Sequence, residues 1–403
     1  YKKNIELYGD AFLVWGNVGN QTMITGVSDP IRFYVAFNTE ANGTGRIVKT
    51  SEDGIVSGIS FKITGNGVDK TVTTESNGYV DVDLRPGTYT VTEVTADRYE
   101  AQSPKTVTVV SGQTATVTFS NTLKRGDLKI VKTSENGKVD GVLFTVSGNG
   151  VNKSVRTDAN GEIKIEGLLP GTYTVTEQGA DYYEPQQSKT VTVEYDKTAT
   201  VSFNNVLKRG DLTVTKTAED GLTEGIKFRL SGTSDSGAKI DVTATVDSTG
   251  KAYFKDILVG SGYVLEEVDT ALKYIVPDIQ NVEIEWEKVT SAEVYNELKR
   301  GDLKVVKTSE DGLVEGMKFH LYGTSLSGEA VDEYAYTDKN GVAIFEDILI
   351  GENYTVEEVD TAERYIIPDS QTAVIEWNTA TQKSFYNELK RGDLKVVKTA
   401  EDG

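Results

Sequence analysis

The chain has 403 residues, which is too many for one small hydrophobic core and enough for several. It contains no cysteine and one histidine, His320, which excludes disulfides and thiolate sites and argues against histidine-based triads and multi-histidine zinc sites. The formal net charge of −20 argues against a nucleic-acid partner, because phosphates require a basic surface. No apolar run is long enough to span a bilayer, so no membrane insertion is predicted. No cofactor and no metal is predicted either, since the acidic turns, such as residues 338–341, lack the regular ligand series of a calcium loop.

Internal repetition is the strongest signal along the chain. The string Lys-Arg-Gly-Asp-Leu occurs four times, at residues 124–128, 208–212, 299–303 and 390–394. The lysine of a recurring Lys-Thr pair occurs at Lys49, Lys132, Lys216, Lys307 and Lys398, with spacings of 83, 84, 91 and 91 residues. Such periods suit whole domains strung along a chain. The predicted boundaries are a C-terminal tail of a preceding β domain at 1–43, four modules at 44–124, 125–208, 209–299 and 300–390, and the start of a further module at 391–403.

Each module contains short segments in which apolar and polar residues alternate, as in β-strands. Residues 212–215 alternate between apolar side chains and threonine, and residues 107–109 and 117–119 alternate in the same way. Glycine-rich turns separate about seven such segments per module, and no helical pattern is present. The sequence therefore predicts an all-β fold of tandem immunoglobulin-like sandwich modules. The linkers lack proline or serine tracts and are short, which predicts a semi-rigid, elongated array.

Three polar residues per module lie on the apolar face of their strands. In one first strand Lys132 shares a face with Leu128 and Ile130, and in the tyrosine-containing strand Glu177 shares a face with Tyr173. An asparagine does the same in the last strand. The recurring sets are Lys49, Glu93 and Asn121; Lys132, Glu177 and Asn205; Lys216, Glu267 and Asn296; and Lys307, Glu358 and Asn387.

This pattern predicts a covalent crosslink inside each module. Burial disfavours charged side chains, and a lysine without its extra proton is a nucleophile. A neutral glutamic acid can hydrogen-bond the asparagine carboxamide and relay a proton. Attack of the amine on the carboxamide carbon, with loss of ammonia, leaves a Lys–Asn isopeptide bond. The glutamates then act as catalytic residues for one turnover only, and no activity on an external substrate is predicted.

Two alternatives remain open on the sequence alone. The lysine and glutamate could form an ordinary buried ion pair while the asparagine bonds to the backbone. A β-bulge could also shift the assigned faces. The spacing argues for a common geometry, because the asparagine precedes the next lysine by 11 residues each time.

The two ends of the chain depart from the pattern. Asn38 precedes Lys49 by 11 residues, but Phe33, Val35 and Phe37 have the opposite parity and no tyrosine-containing strand precedes it. Lys398 begins a module whose glutamate and asparagine lie beyond the sequence, so we expect it to be unbonded here.

With these motifs the sequence resembles the Cna-B (collagen-adhesin B-region, SpaA-like) family of Gram-positive surface proteins. The matching motifs are residues 302–308, Asn340-Gly341, residues 351–358 and Phe385-Tyr386-Asn387. The resemblance covers roughly residues 44–403 and implies a transthyretin-like, inverse-immunoglobulin sandwich. It also implies that the lysines, glutamates and asparagines named above are the crosslinking residues of the family.

The resemblance favours a structural stalk of a wall-anchored bacterial adhesin. It implies an extracellular location, peptidoglycan anchorage through a C-terminal region beyond this sequence, and a host ligand bound by a head domain that is also absent from it. One alternative is that the modules bind a host ligand themselves, since the linkers contain four Arg-Gly-Asp triplets like those of integrin ligands. We expect these triplets to serve turns between domains. Another alternative is a pilus shaft subunit, which residues 1–4 faintly support.

Overall fold

A computed structural model describes residues 2–7, 31–36, 41–399 and 401. These residues form thirty β-strands, and none of them forms a helix. Accordingly, the described part of the chain has no helix long and apolar enough to cross a membrane. The chain divides into two compact units, Tyr1–Thr133 with Gly137–Gln178 and Gln186–Asn204, and Ser134–Asn136 with Gly179–Pro185 and Asn205–Gly403.

The first unit contains nearly all of two modules with seven strands each. Strands of module 1 are β3 (Gly43–Ser51), β4 (Ser60–Gly65), β5 (Val68–Thr73), β6 (Tyr79–Leu84), β7 (Gly87–Glu93), β8 (Lys105–Val109) and β9 (Thr114–Asn121). Strands of module 2 are β10 (Gly126–Ser134), β11 (Leu143–Gly148), β12 (Val151–Arg156), β13 (Glu162–Leu168), β14 (Gly171–Gln178), β15 (Lys189–Val193) and β16 (Thr198–Asn205).

The second unit contains two further modules built in the same way. Strands of module 3 are β17 (Arg209–Ala218), β18 (Lys227–Thr233), β19 (Lys239–Thr245), β20 (Lys251–Leu258), β21 (Gly260–Val268), β22 (Gln280–Ile284) and β23 (Val289–Asn296). Strands of module 4 are β24 (Arg300–Ser309), β25 (Lys318–Thr324), β26 (Ala330–Tyr336), β27 (Val342–Leu349), β28 (Gly351–Val359), β29 (Gln371–Ile375) and β30 (Ala380–Asn387).

Every module is a sandwich of a three-stranded and a four-stranded sheet. In module 1 the sheets have the orders β6-β3-β9 and β5-β4-β7-β8, and the other modules repeat this topology. The first strand is therefore central in the small sheet, and in modules 1, 3 and 4 it pairs in parallel with the last strand. The predicted all-β class of tandem sandwich modules is confirmed.

Alternating apolar residues of both sheets form one core per module. In module 1, Ile47 and Phe119 from the small sheet pack with Phe61, Tyr89 and Val91 from the large sheet. The same strands bury every second residue and expose or half-bury the others. The core is thus a direct result of the period-two pattern in the sequence.

Outside the four modules, β1 (Lys2–Leu7) pairs antiparallel with β2 (Ile31–Ala36). Asn38 lies outside the described residues, so its crosslinking stays a prediction. At the other end, residues 391–399 have no regular secondary structure, and Lys398 is exposed.

Candidate functional site

The four predicted lysines are buried among apolar side chains. Each is the last inward-facing residue of the first strand in its module. Lys49, Lys132, Lys216 and Lys307 expose 1–2% of their surface, which is unusual for a residue type that is almost never fully buried without a partner.

The predicted glutamates and asparagines reach the same interior. The side chains of Glu93, Glu177, Glu267 and Glu358 are at most 1% exposed. Asn121, Asn205, Asn296 and Asn387 are buried at the ends of the last strands β9, β16, β23 and β30.

In modules 1, 3 and 4 one glutamate bridges the lysine and the asparagine. In module 1 the Glu93 Oε2 atom lies 3.3 Å from Lys49 Nζ, and Glu93 Oε1 accepts a 2.6 Å hydrogen bond from Asn121 Nδ2. The corresponding distances are 3.4 and 2.9 Å around Glu267 and 3.6 and 2.8 Å around Glu358. In module 2, Lys132 Nζ lies 3.7 Å from Glu177 Oε2.

Strand register brings the amine and the amide to one place. In module 1, Lys49 pairs with Phe119, and Ser51 pairs with Asn121. Lysine and asparagine therefore lie on the same face of neighbouring strands, two residues apart. Lys216 and Lys307 have the same offset from Asn296 and Asn387. The glutamate comes from the opposite sheet, from the strand that carries the buried tyrosine.

The surroundings favour the reactive form of the lysine. Burial lowers the pKa of Lys49, Lys132, Lys216 and Lys307, although the nearby glutamates act in the opposite direction. In modules 2, 3 and 4 the lysine amine also donates a hydrogen bond to the carbonyl of the following threonine, at 2.5, 3.0 and 2.7 Å. These backbone acceptors orient the amine, and no sequence pattern could have indicated them.

In three modules the carboxamide oxygen of the asparagine is buried without a hydrogen-bond partner in the described part of the chain. The Oδ1 atoms of Asn121, Asn296 and Asn387 are buried and have no hydrogen-bond partner among the described residues. A half-turn of the amide would present Oδ1 to the same glutamate oxygen, which donates a hydrogen bond when it is neutral. The arrangement can therefore polarise the carboxamide next to a nucleophilic amine.

Comparison with known families decides what kind of module this is. The family model described as SpaA, prealbumin-like fold domain, matches residues 43–123, 126–207, 210–298 and 301–389. The chain belongs to the SpaA prealbumin-like fold family. The resemblance stated from the motifs is thereby confirmed, as is the transthyretin-like class of the fold.

Similar proteins extend over only part of this chain. Serine-aspartate repeat-containing protein D of Staphylococcus aureus is 28% identical, over 57% of this chain and 21% of that protein. Bone sialoprotein-binding protein of Staphylococcus aureus is 32% identical, over 36% of this chain and 14% of that protein. The chain thus spans about a fifth or less of these relatives. The solved structure of the Bacillus anthracis TIE protein shares the fold, with a TM-score of 0.52 and 20% identity over 89% of this chain and 70% of that chain.

The Gly-Asp residues of the first three Arg-Gly-Asp triplets lie in strands of the SpaA modules, and the aspartate of the first triplet makes hydrogen bonds and an ion pair. Asp127 accepts a hydrogen bond from the Gly167 backbone at 3.2 Å and lies 3.1 Å from Lys164, which holds its pKa below the usual range. The Gly-Asp residues of triplets two and three, like those of the first, lie inside a first strand rather than in a free turn. The expectation of turn chemistry is wrong in this respect, because the strand begins within the triplet.

We expect the triplets to contribute nothing to cell attachment. Replacing aspartate with glutamate at 127, 211, 302 and 393 together removes the geometry that integrins require, so attachment to the parent and variant should be equal. The measurement is adhesion of integrin-expressing cells to immobilised protein, with a free Arg-Gly-Asp peptide as competitor. Weaker attachment to the variant would support the ligand-binding alternative.

The acidic turn at residues 338–341 of module 4 is stabilised by hydrogen bonds from its own backbone. The Asp338 carboxylate accepts the backbone N–H groups of Asn340 and Val342, both at 2.9 Å. Within the described ranges there is no cluster of three or more histidine, cysteine or acidic residues that could hold a metal ion.

Proposed function

We propose that the chain is a stalk segment of a bacterial surface protein, in which each SpaA module is closed by a self-formed Lys–Asn isopeptide bond. The observation that carries this proposal is the glutamate that contacts both the lysine amine and the asparagine amide in a closed apolar core. An ion pair alone leaves the recurring asparagine unexplained. We propose the same module boundaries as those deduced from the repeat.

The reaction joins the lysine Nζ atom to the asparagine Cγ atom. The neutral amine attacks the carboxamide carbon while the glutamic acid hydrogen-bonds the amide oxygen. As the tetrahedral intermediate forms, the glutamic acid gives its proton to the carboxamide oxygen, and the resulting carboxylate accepts a proton from the attacking nitrogen. It passes that proton to the departing NH₂ group and regains its own from the oxygen as the carbonyl re-forms. One ammonia molecule leaves per bond, and the glutamate is regenerated.

Intact-mass spectrometry tests this proposal directly. The parent chain should be lighter than its formula by four ammonia molecules, one per matched module. Glu358→Ala should regain one of them, because its module loses the proton relay. Glu357→Ala is the matched control, since the neighbouring glutamate lies on the outer face, and it should weigh as the parent does, after allowance for the substitution. A parent at its formula mass would overturn the proposal.

A pH dependence should appear only when the bond is missing. In an Asn296→Ala variant, burial keeps the pKa of Lys216 below its unfolded value of about 10.4, so the unfolded state binds more protons between the two values. Stability of module 3 should therefore rise with pH across that window. In the parent the same nitrogen is an amide in both states and does not titrate.

Urea unfolding at pH 7 to 10 measures this effect. The variant should show an additional transition at low urea whose midpoint rises with pH, and the parent should lack that transition. A variant that unfolds like the parent at every pH would mean that Lys216 is not bonded in the parent.

A further inference from the structure

The arginine of each Lys-Arg-Gly-Asp segment binds the module that precedes it. In the second unit the Arg300 guanidinium contacts both carboxylate oxygens of Glu219, and Glu219 also accepts the Leu298 backbone N–H at 2.9 Å. Glu219 follows the reactive lysine of module 3 by three residues. The equivalent pairs are Arg125–Glu52, Arg209–Glu135 and Arg391–Glu310.

The lysine of the same segment contacts the module that follows, and the glycine lies in the first strand of that module. Lys299 Nζ lies 5.0 Å from the centre of a Trp377 ring, and the Asn378 backbone donates a 3.0 Å hydrogen bond to the Arg300 carbonyl. A Cβ atom on Gly301 would lie 2.1 Å from the Glu376 carbonyl oxygen. Only glycine lets this turn of module 4 approach so closely.

An apolar contact completes the junction, and the aspartate holds the first strand of module 4 in place within that module. Asp302 accepts the Asp347 backbone N–H at 3.0 Å, next to a bulge in the pairing of β24 with β27. Leu349 of module 4 packs against Tyr274 and Leu298 of module 3. All four residues of the segment are therefore used.

The junction within the first unit has the same contacts. Lys124 Nζ lies 2.7 Å from an Asp196 carboxylate oxygen, and the Asp196 backbone donates a 2.8 Å hydrogen bond to the Arg125 carbonyl. A Cβ atom on Gly126 would lie 2.0 Å from the Glu194 carbonyl oxygen. Each unit thus contains a junction of the same kind, in which the lysine contacts an acidic residue in the first unit and an aromatic residue in the second.

The fourth Lys-Arg-Gly-Asp segment shows that the arginine contact forms without the contacts to a following module. Arg391 pairs with Glu310 even though residues 391–399 have no regular secondary structure. The arginine contact therefore belongs to the preceding module and needs no strand pairing after it.

We propose that Lys-Arg-Gly-Asp is an intermodular connector that holds consecutive SpaA modules of one unit in a single orientation. The arginine pairs with the preceding module and the lysine contacts the following one, while the glycine and aspartate fix the segment in the first strand of that following module. An isolated surface ion pair contributes little to stability, so the connector acts as a network of a bidentate ion pair, backbone hydrogen bonds and an apolar contact. Removing one member should loosen the junction without unfolding either module.

Pulsed electron paramagnetic resonance on the full chain tests the connector. The sequence has no cysteine, so Thr243→Cys and Glu333→Cys place one nitroxide label on module 3 and one on module 4, at exposed positions. The parent should give one narrow distance distribution. Arg300→Gln and Glu219→Gln should both broaden it, and the charge exchange Glu219→Arg with Arg300→Glu should narrow it again.

Two further variants keep the test decisive. Arg229→Gln removes a comparable network within module 3, in which Arg229 contacts Asp241 and Glu266 at 2.8 and 2.9 Å, and it should leave the distribution unchanged. Lys299→Gln removes the contact with Trp377, leaves the Arg300–Glu219 pair in place and should also broaden the distribution. A broad parent distribution, or variants at the junction that match Arg229→Gln, would overturn the connector. The readout does not depend on crosslinking, so intact mass decides the isopeptide proposal separately.

Discussion

Under tension, an Asn296→Ala variant should release a length of chain that the parent never releases. With the proposed bond in place, force enters β17, passes from Lys216 to Asn296 and leaves at the end of β23. Without the bond, the parallel pair of β17 and β23 must carry the load by hydrogen bonds that break in shear. The 80 residues from Lys216 to Asn296 then extend by about 270 Å, at roughly 3.4 Å per residue.

Single-molecule force spectroscopy of the full chain measures this extension. The parent should show no unfolding step of this size from its four modules, and the variant should show one. Asn281→Ala is a matched control, because Asn281 is an exposed asparagine in the same module. Steps of equal number in the parent and in Asn296→Ala would show that module 3 carries no covalent bypass.

Replacing Lys307 with methionine should destabilise module 4 strongly. The proposed bond closes a loop of about 80 residues, for which loop-entropy reasoning gives a stabilisation of about 4–5 kcal/mol. Methionine keeps the apolar stem and removes the amine, so the loss comes mainly from the missing bond. Amide hydrogens of β28 and β30 should exchange about a thousandfold faster at pH values where opening is reversible.

Hydrogen exchange resolved to individual modules checks this result. Lys304→Met is the control, since Lys304 lies on the same strand and alternates to the opposite face from Lys307. It should leave the exchange of β28 and β30 unchanged. Equal protection in the two variants would contradict the crosslink in module 4, whatever the behaviour of the other modules.

Much of the fold could be read from periodicity. A β-strand places every second side chain on one face, so the parity of Lys132 with Leu128 and Ile130 is enough to predict that the lysine is buried. Repetition in four modules made this parity argument strong, because an accidental bulge would not recur at the same positions. The four buried lysines and four buried asparagines follow from this pattern alone.

The arginine contacts were missed although a signal existed. A glutamate follows the buried lysine of each module by three residues and precedes its arginine partner by 73 to 81 residues; these are Glu52, Glu135, Glu219 and Glu310. The constant offset of three residues from the lysine could have indicated that each glutamate pairs with an arginine. No sequence pattern indicates that carbonyl oxygens exclude a side chain at Gly126 and Gly301. That close backbone approach depends on how the strands of the module pack together.

The sequence by itself determined the repeat, the strand pattern and which polar side chains point inward, because side-chain direction depends only on local strand geometry. Only the tertiary structure decided that the glutamate reaches across from the opposite sheet to touch both partners in modules 1, 3 and 4. Sheet membership and register are set by contacts between residues far apart in the chain. For the same reason, only the structure shows that the Lys-Arg-Gly-Asp segments between the modules of each unit contact the preceding and the following module and are not free loops.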